Sequence, residues 1–266
     1  MPVQNTHRPC INTRSTYLAI TMTAPVTLQF DNYDLERFTG VASSFGQGDF
    51  AYVVTPNTDH LIRYFDDGNF RDLYASARYV LLDSRFLSYL FKLVRGISLP
   101  VCAGSDLTST LFKQIIKPDD SLILIGATNE QAQKLREQLK LTQLHHHNPP
   151  MGFIKDPAAV EACVQYVEKH NGARFIFIAV GSPQQEILAR HLQQRGNIRG
   201  LGLCIGASIN FLTGEERRAP RWMQRVGLEW FYRLIQDPKR LAKRYLVRGP
   251  RIFALLKNFN ISLRDQ

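Results

Sequence analysis

The chain has 266 residues, 44% of them hydrophobic and 21% charged, with a formal net charge of +10. This size and balance suit one α/β domain with an appendage, or two small domains, and exclude a disordered or low-complexity chain. No apolar run is long enough to span a bilayer, no signal-peptide pattern opens the chain, and Cys10, Cys102, Cys163 and Cys204 form no C-x-x-C pair, so a cytoplasmic protein with reduced structural thiols is expected.

Residues 1–25 are polar and threonine-rich, and are expected to form a flexible tail. Val26–Phe30 and Phe50–Thr55 read as strands, short and rich in β-branched or aromatic residues, with a helix over Asp34–Ser44 between them. A second helix is expected over Thr58–Ala77, after a Thr-Pro-Asn turn. Tyr79–Leu82 reads as a short strand ending at Asp83, followed by helices over Phe86–Val94 and Ser105–Ile116. Ser121–Ile125 reads as a strand running into Gly126-Ala-Thr128 and a helix over Glu130–Leu139. His145-His-His147 invites a metal reading, but three consecutive histidines do not share one face of a helix or strand, and the run reads as a solvated or packed loop before Asn148-Pro-Pro150. The strongest strand is Arg174–Val180, with its Phe-Ile-Phe-Ile-Ala-Val run. A helix over Gln184–Gln194 and a strand over Gly200–Ile205 follow.

Strands alternating with helices predict an α/β fold: a Rossmann-like, mostly parallel sheet with helices on both faces, spanning residues 26–213. Beyond Gly214 the strand pattern stops. Helices are expected over Arg221–Gln236, Lys239–Val247 and Arg251–Asn258, forming a C-terminal helical appendage over 214–266. That appendage holds 13 Lys/Arg against 5 Asp/Glu, and so most of the net charge. Trp222, Met223, Val226, Trp230 and Leu234 recur at helical spacing among Arg221, Arg225 and Arg233. This is the pattern of a basic amphipathic helix at an anionic interface. Trp222, Trp230, Arg233, Lys243 and Arg244 are therefore the expected membrane-docking residues. A helix packed on the core with solvated arginines fits the same spacing.

Ligands of open parallel sheets bind beyond the carboxyl ends of the strands. Thr55-Pro-Asn57, Asp83-Ser-Arg85, Gly126-Ala-Thr128 and Gly181-Ser-Pro-Gln-Gln185 all fall at expected strand ends. Free N–H groups and the positive dipole at the following helix N-termini suit a diphosphate. Each cluster also fits an ordinary turn or helix cap. Gly200-Leu-Gly-Leu-Cys-Ile-Gly206 is a poor dinucleotide fingerprint, since its glycines lie within a strand pattern. No Asp-x-Asp pair is present to hold a divalent ion, and neither a metal nor a cofactor is expected.

Taken together and in order, these residues resemble the WecG/TagA/CpsF glycosyltransferases, glycosyltransferase family 26. The resemblance covers roughly residues 26–250. It is carried by Val54-Thr-Pro-Asn-Thr-Asp-His60, the acidic turn at Asp83, Gly104-Ser-Asp-Leu107 and Pro149-Pro-Met-Gly-Phe153. It continues through Gly181-Ser-Pro-Gln-Gln-Glu186, Gly206–Gly214, Arg218–Trp230 and Arg233–Pro238. The resemblance implies a UDP-sugar donor and an acceptor sugar on a polyprenyl diphosphate. It also implies an inverting transfer at the inner face of the bacterial plasma membrane during cell-surface polysaccharide synthesis. By resemblance Asp83 is the base that takes the acceptor hydroxyl proton, with Thr55 and Asn57 orienting the acceptor or the base. Gln185, Gly126 and Gly181 are expected substrate contacts. Arg218, Arg221 and Arg225, spaced to share a helical face, are expected on the UDP or the acceptor diphosphate.

Two positions depart from the family pattern. Ser84 stands where glycine is frequent, and Val101-Cys-Ala103 lacks an arginine that many members carry. Two other readings of the basic tail are a nucleic-acid-binding module and a noncatalytic membrane-docking subunit of an assembly complex. No second nucleic-acid recognition element appears, so no nucleic-acid partner is expected. A homo-oligomer is compatible with the sequence.

Overall fold

The computed structural model describes residues 25–45 and 48–265. The expected tail, with Cys10, therefore lies outside the described residues but for Pro25. Strands β1 (Val26–Asp31), β2 (Ala51–Val54), β3 (Tyr79–Val80), β4 (Leu122–Gly126), β5 (Leu144–His147), β6 (Phe175–Ala179), β7 (Leu201–Cys204) and β8 (Phe259–Arg264) form two sheets. The larger has the order β3-β2-β7-β6-β4-β5, and every pair in it is parallel. The expected Rossmann-like α/β architecture is what the chain adopts.

Packing on both faces explains the unbroken apolar runs of the central strands. Alternation sends Ile123, Ile125, Ile176 and Ile178 into one core. Leu122, Leu124, Phe175 and Phe177 enter the other. Each such side chain is fully buried, worth about 1.5–3 kcal/mol relative to exposure. Helices α1 (Leu35–Ser44), α2 (Thr58–Asp66), α3 (Gly68–Ser76), α4 (Arg85–Arg95), α5 (Gly104–Thr110), α6 (Asn129–Leu139), α7 (Pro157–Lys169) and α8 (Gln184–Arg195) occupy the crossovers. Because all strands run the same way, the loops after β2, β3, β6 and β7 meet along one edge.

Several local expectations are corrected. The histidine run is not a loop: His145, His146 and His147 form edge strand β5, pairing with Ile123, Leu124 and Ile125. His145 stacks on His170 (4.0 Å), the C-cap of α7, and His147 on Tyr166 (5.0 Å) within α7, while His146 Nε2 lies 2.9 Å from the Gly126 carbonyl. The residues between 58 and 77 form two helices, because Asp67 ends α2 and accepts from Asn69 and Phe70 to start α3. Helix α7 has no counterpart in the sequence reading, although Asp156 caps it and Pro157 opens it.

The C-terminal segment is not wholly helical. After α9 (Ser208–Leu212) come α10 (Arg221–Arg225), α11 (Glu229–Gln236), α12 (Pro238–Ala242), a π-helical turn over Lys243–Arg248 and α13 (Arg251–Leu255). The expected single helix over Arg221–Gln236 breaks at Gly227, whose φ is +76° and where a Cβ would come within 3.2 Å of the Phe86 backbone. The chain then returns as β8, which pairs in parallel with β1 from Val26↔Phe259 to Asp31↔Arg264. Asp31 is buried, accepts a bidentate contact from Arg264 at 2.6 and 2.9 Å, and accepts from the Val80 N–H at 2.6 Å. Arg95 donates to the carbonyls of Leu256, Lys257 and Phe259. The segment is thus pinned to the core beyond its helices as well as before them.

Candidate active site

Four loops converge at the carboxyl edge of the large sheet. After β2, Asn57 ends the turn and caps α2: its Oδ1 accepts from the Asp59 N–H, and its own N–H donates to His60 Nδ1. After β3, the Asp83 N–H donates to the Pro56 carbonyl at 3.1 Å, tying the two loops together. After β6 come Gly181 and Ser182, whose Oγ accepts from Arg63 at 3.0 Å. After β7, the Gly206 N–H donates to Gln185 Oε1 at 2.9 Å. Gln185 is buried, and its Nε2 donates to Glu186 Oε1 at 3.0 Å.

Asp83 sits at the N-terminus of α5, where its Oδ1 accepts the Gly104 N–H at 2.6 Å. Gly104 is a site residue for which the sequence reading proposed no role. A Cβ there would lie 2.6 Å from Thr55 Oγ1 and 3.6 Å from Asp83 Oδ1, so the absent side chain lets Thr55 and Asp83 approach one another. Serine at 84 has no backbone consequence: its φ is −121°, and its hydroxyl caps α4 by accepting from the Leu87 N–H.

Burial pushes the Asp83 carboxyl up to about 7, with Glu229 and Asp106 adding to the rise and the Gly104 hydrogen bond and Arg233 opposing it. The usual carboxylate value is about 4, so Asp83 exchanges its proton near neutrality. Behind the loops, burial and the nearby Arg244 and Arg63 hold His60 down to about 3, while burial raises Glu186. The 3.7 Å approach of His60 to Glu186 is therefore a contact of a neutral imidazole, not an ion pair.

Thr55, Asn57, Asp83, Gly181 and Gln185 line one cavity of about 630 Å³. The C-terminal segment forms its other wall, contributing Glu229, Trp230, Arg233, Arg240, Arg244, Leu246 and Phe253. Arg244 donates to Asn57 Oδ1 at 3.2 Å and lies 3.7 Å from Asp59. Arg233 and Arg240 each lie 3.5 Å from Glu216. Trp230 Nε1, Arg233 Nε and Arg244 Nε are buried and have no hydrogen-bond partner. Donors left this way cost free energy unless a ligand or water meets them.

This placement redistributes the expected roles. Trp230, Arg233 and Arg244, expected on a membrane face, lie in the cavity wall. Arg221 and Arg225, expected on substrate, are exposed and outside that wall. Arg218 precedes α10 and so shares no helical face with them; it is held by Asp106 at 2.5 Å. Gly126, the last residue of β4, is buried opposite Ala179 of β6, and a Cβ there would meet Ala179 and Val180 within 3 Å. It is not among the residues that line the cavity. In β7, Gly202 likewise leaves room for the Phe50 ring, 2.6 Å from where its Cβ would stand. Trp222 and Lys243 remain exposed, as expected. Among the described residues no group of three or more His, Cys, Asp and Glu is placed to hold a metal ion. No helix among them is long and apolar enough to cross a membrane.

Residues 24–265 match the model of the glycosyl transferase WecG/TagA/CpsF family, and the chain belongs to that family. It is accordingly a glycosyltransferase of cell-surface polysaccharide synthesis, a class that uses sugar-nucleotide donors and lipid-linked acceptors.

Proposed function

We propose that this glycosyltransferase moves a hexose or N-acetylhexosamine-type sugar from a UDP-sugar to a sugar on a polyprenyl diphosphate, with inversion. The observation that carries the reading is the cavity itself. It joins a carboxyl that titrates near neutrality to the Nε donors of Arg233 and Arg244 and the Trp230 Nε1, which have no hydrogen-bond partner in the protein.

Asp83 takes the proton of the acceptor hydroxyl as that oxygen attacks the anomeric carbon. A base matched to the working pH does this most effectively. Thr55 and Asn57, on the adjoining loop, orient the acceptor hydroxyl against Asp83. Gln185 has its carbonyl committed to Gly206 and one N–H to Glu186, leaving its second N–H for a sugar hydroxyl. As the glycosidic bond breaks, negative charge grows on the departing diphosphate. Preorganised cations in a partly desiccated site stabilise such charge strongly. Arg233, Arg240 and Arg244 are the residues for this task, in place of Arg221 and Arg225.

The outer side of the same segment suits a membrane surface at the inner face of the plasma membrane. Trp222, Val226, Phe231, Ile235, Leu246, Val247 and Phe253 are exposed there, with Arg221, Arg225, Lys243 and Arg248 beside them in sequence. Apolar side chains mixed with basic ones bind anionic bilayers by burial and charge together. Leu246 and Phe253 also line the cavity, so a lipid-linked acceptor would reach Asp83 from this side.

The test is a donor screen with a polyprenyl-diphosphate monosaccharide acceptor, read by mass spectrometry. The expected product is the acceptor plus one hexose-type residue, formed by wild type and absent with Asp83→Asn. No product across a broad set of UDP-sugars would defeat the UDP-sugar assignment.

A further inference from the structure

Glu186 has no part in the chemistry described so far. It lies in the first turn of α8, next to Gln185, and is 1% exposed. A glutamate in a first turn ordinarily serves the helix dipole from the surface, and one this deeply buried needs partners. Its two oxygens have different surroundings. Oε1 accepts from Gln185 Nε2 at 3.0 Å and faces His60 Nε2 at 3.7 Å. His60 Nδ1 accepts from the Asn57 N–H, so the neutral ring carries its proton on Nε2 and turns that N–H toward Oε1. Oε2 has no hydrogen-bond partner. The carboxyl therefore works through one oxygen, and that oxygen meets donors only.

Gln185 is the group this oxygen controls. An amide can turn over and exchange its oxygen and nitrogen unless its two ends meet different partners. Here the Gly206 N–H donates to Oε1 at 2.9 Å, while Nε2 meets the Glu186 acceptor. Gln185 is itself buried and lines the cavity. With both ends engaged, the second Nε2 hydrogen is the amide's free donor.

We propose that Glu186 is a positioning residue: its Oε1 holds the Gln185 amide in the orientation that offers an N–H, not a carbonyl, to an oxygen of the substrate. This rests on the reading of Gln185 as a substrate contact.

What position 186 must supply is an acceptor oxygen rather than a charge. Burial pushes the Glu186 carboxyl up, opposed by the Gln185 hydrogen bond, and a protonated carboxyl keeps a carbonyl oxygen that accepts. Glutamine keeps that oxygen at the same reach without a charge. Methionine has similar length and lacks it.

The test reads Gln185 directly in the full chain, by nuclear magnetic resonance, as the rate at which its two Nε2 protons exchange places when the amide rotates. The signals are identified through Gln185→Met. Glu186→Met should speed that rotation about tenfold or more, and Glu186→Gln should stay within about threefold of wild type. kcat/KM for sugar transfer should follow the same order, with a loss of about tenfold in Glu186→Met. Once Gln185→Met is present, adding Glu186→Met should cost nothing further; a purely structural glutamate would add its own loss. Unchanged rotation in Glu186→Met, or equal damage in both Glu186 variants, overturns the proposal. Where circular dichroism shows Glu186→Met unfolded, Glu186→Gln decides: rotation about tenfold faster overturns the proposal, and wild-type rotation supports it. Faster rotation in Glu186→Met alone, in a protein with no sugar transfer on any donor, supports the positioning and defeats only the catalytic reading.

Discussion

Replacing Asp83 with asparagine separates what the site needs from what the fold prefers. The carboxyl is raised from 3.8 to about 7, chiefly by burial. A carboxyl raised in the folded state adds stability below its unfolded value, and that stability is lost as pH climbs to the folded value. The window is therefore about pH 4 to 7. Across that window the loss amounts to at most about 4 kcal/mol, at about 1.4 kcal/mol per unit. Asp83 still meets cavity solvent, which screens its charge and brings the expected loss to about 1–2 kcal/mol. Asparagine keeps the acceptor for the Gly104 N–H and carries no charge. Urea unfolding of Asp83→Asn and wild type should give similar stabilities at about pH 4. At pH 8 the variant should be ahead by about 1–2 kcal/mol, while its sugar transfer falls by at least a hundredfold. An equal stability difference at both pH values would show that Asp83 titrates as an ordinary carboxylate. Full activity in the variant would remove it from the chemistry.

Other substitutions probe other links. Gly104→Ala puts a methyl 2.6 Å from Thr55 Oγ1, so turnover should fall at least tenfold with little change in unfolding midpoint; normal kcat would show that Thr55 and Asp83 need not approach each other closely. Arg264→Ala takes the bidentate partner from buried Asp31 and should cost about 2–4 kcal/mol in urea unfolding; a loss below about 0.5 kcal/mol would mean that β8 is held without it. Trp222→Ser combined with Val247→Ser should weaken sedimentation with anionic liposomes severalfold while leaving binding of soluble UDP unchanged; equal loss of both would place these residues in the site instead.

The main sheet was legible because its strands carry their own signal. Phe175–Ile178 and Leu122–Ile125 are buried on both faces, and continuous apolar runs of that length have few other uses. The loops of the candidate site were legible as polar clusters after strands, where Thr55, Asn57 and Asp83 stand, with Gln185 in the first turn of the helix that follows. What escaped the reading depends on partners distant in sequence. β5 is an edge strand made of histidines, so its pairing rather than its composition defines it. β8 does alternate, as Phe-Asn-Ile-Ser-Leu, but its partner lies more than two hundred residues away. Gly104 is required by a side chain approaching from Thr55, and no local pattern reports such an approach.

The arginines show the same limit in another form. Spacing alone put Arg218, Arg221 and Arg225 together, but the break at Gly227 reorients everything after it. The basic segment then divides by direction. Arg218, Arg233 and Arg244 are partly buried, and Arg240, though exposed, lines the cavity; each lies beside a carboxylate, Asp106, Glu216 or Asp59. Arg221, Arg225, Lys243 and Arg248 stay exposed. Inward arginines already paired with carboxylates gain little from one more weak anion. A diphosphate offers more acceptor oxygens and more charge, and can compete for the cavity-lining guanidinium groups and meet the unpartnered Nε donors of Arg233 and Arg244. On the proposed reading, selectivity for a diphosphate over a simple phosphate or carboxylate would follow from the carboxylates as much as from the arginines, because they set the threshold that a ligand must exceed.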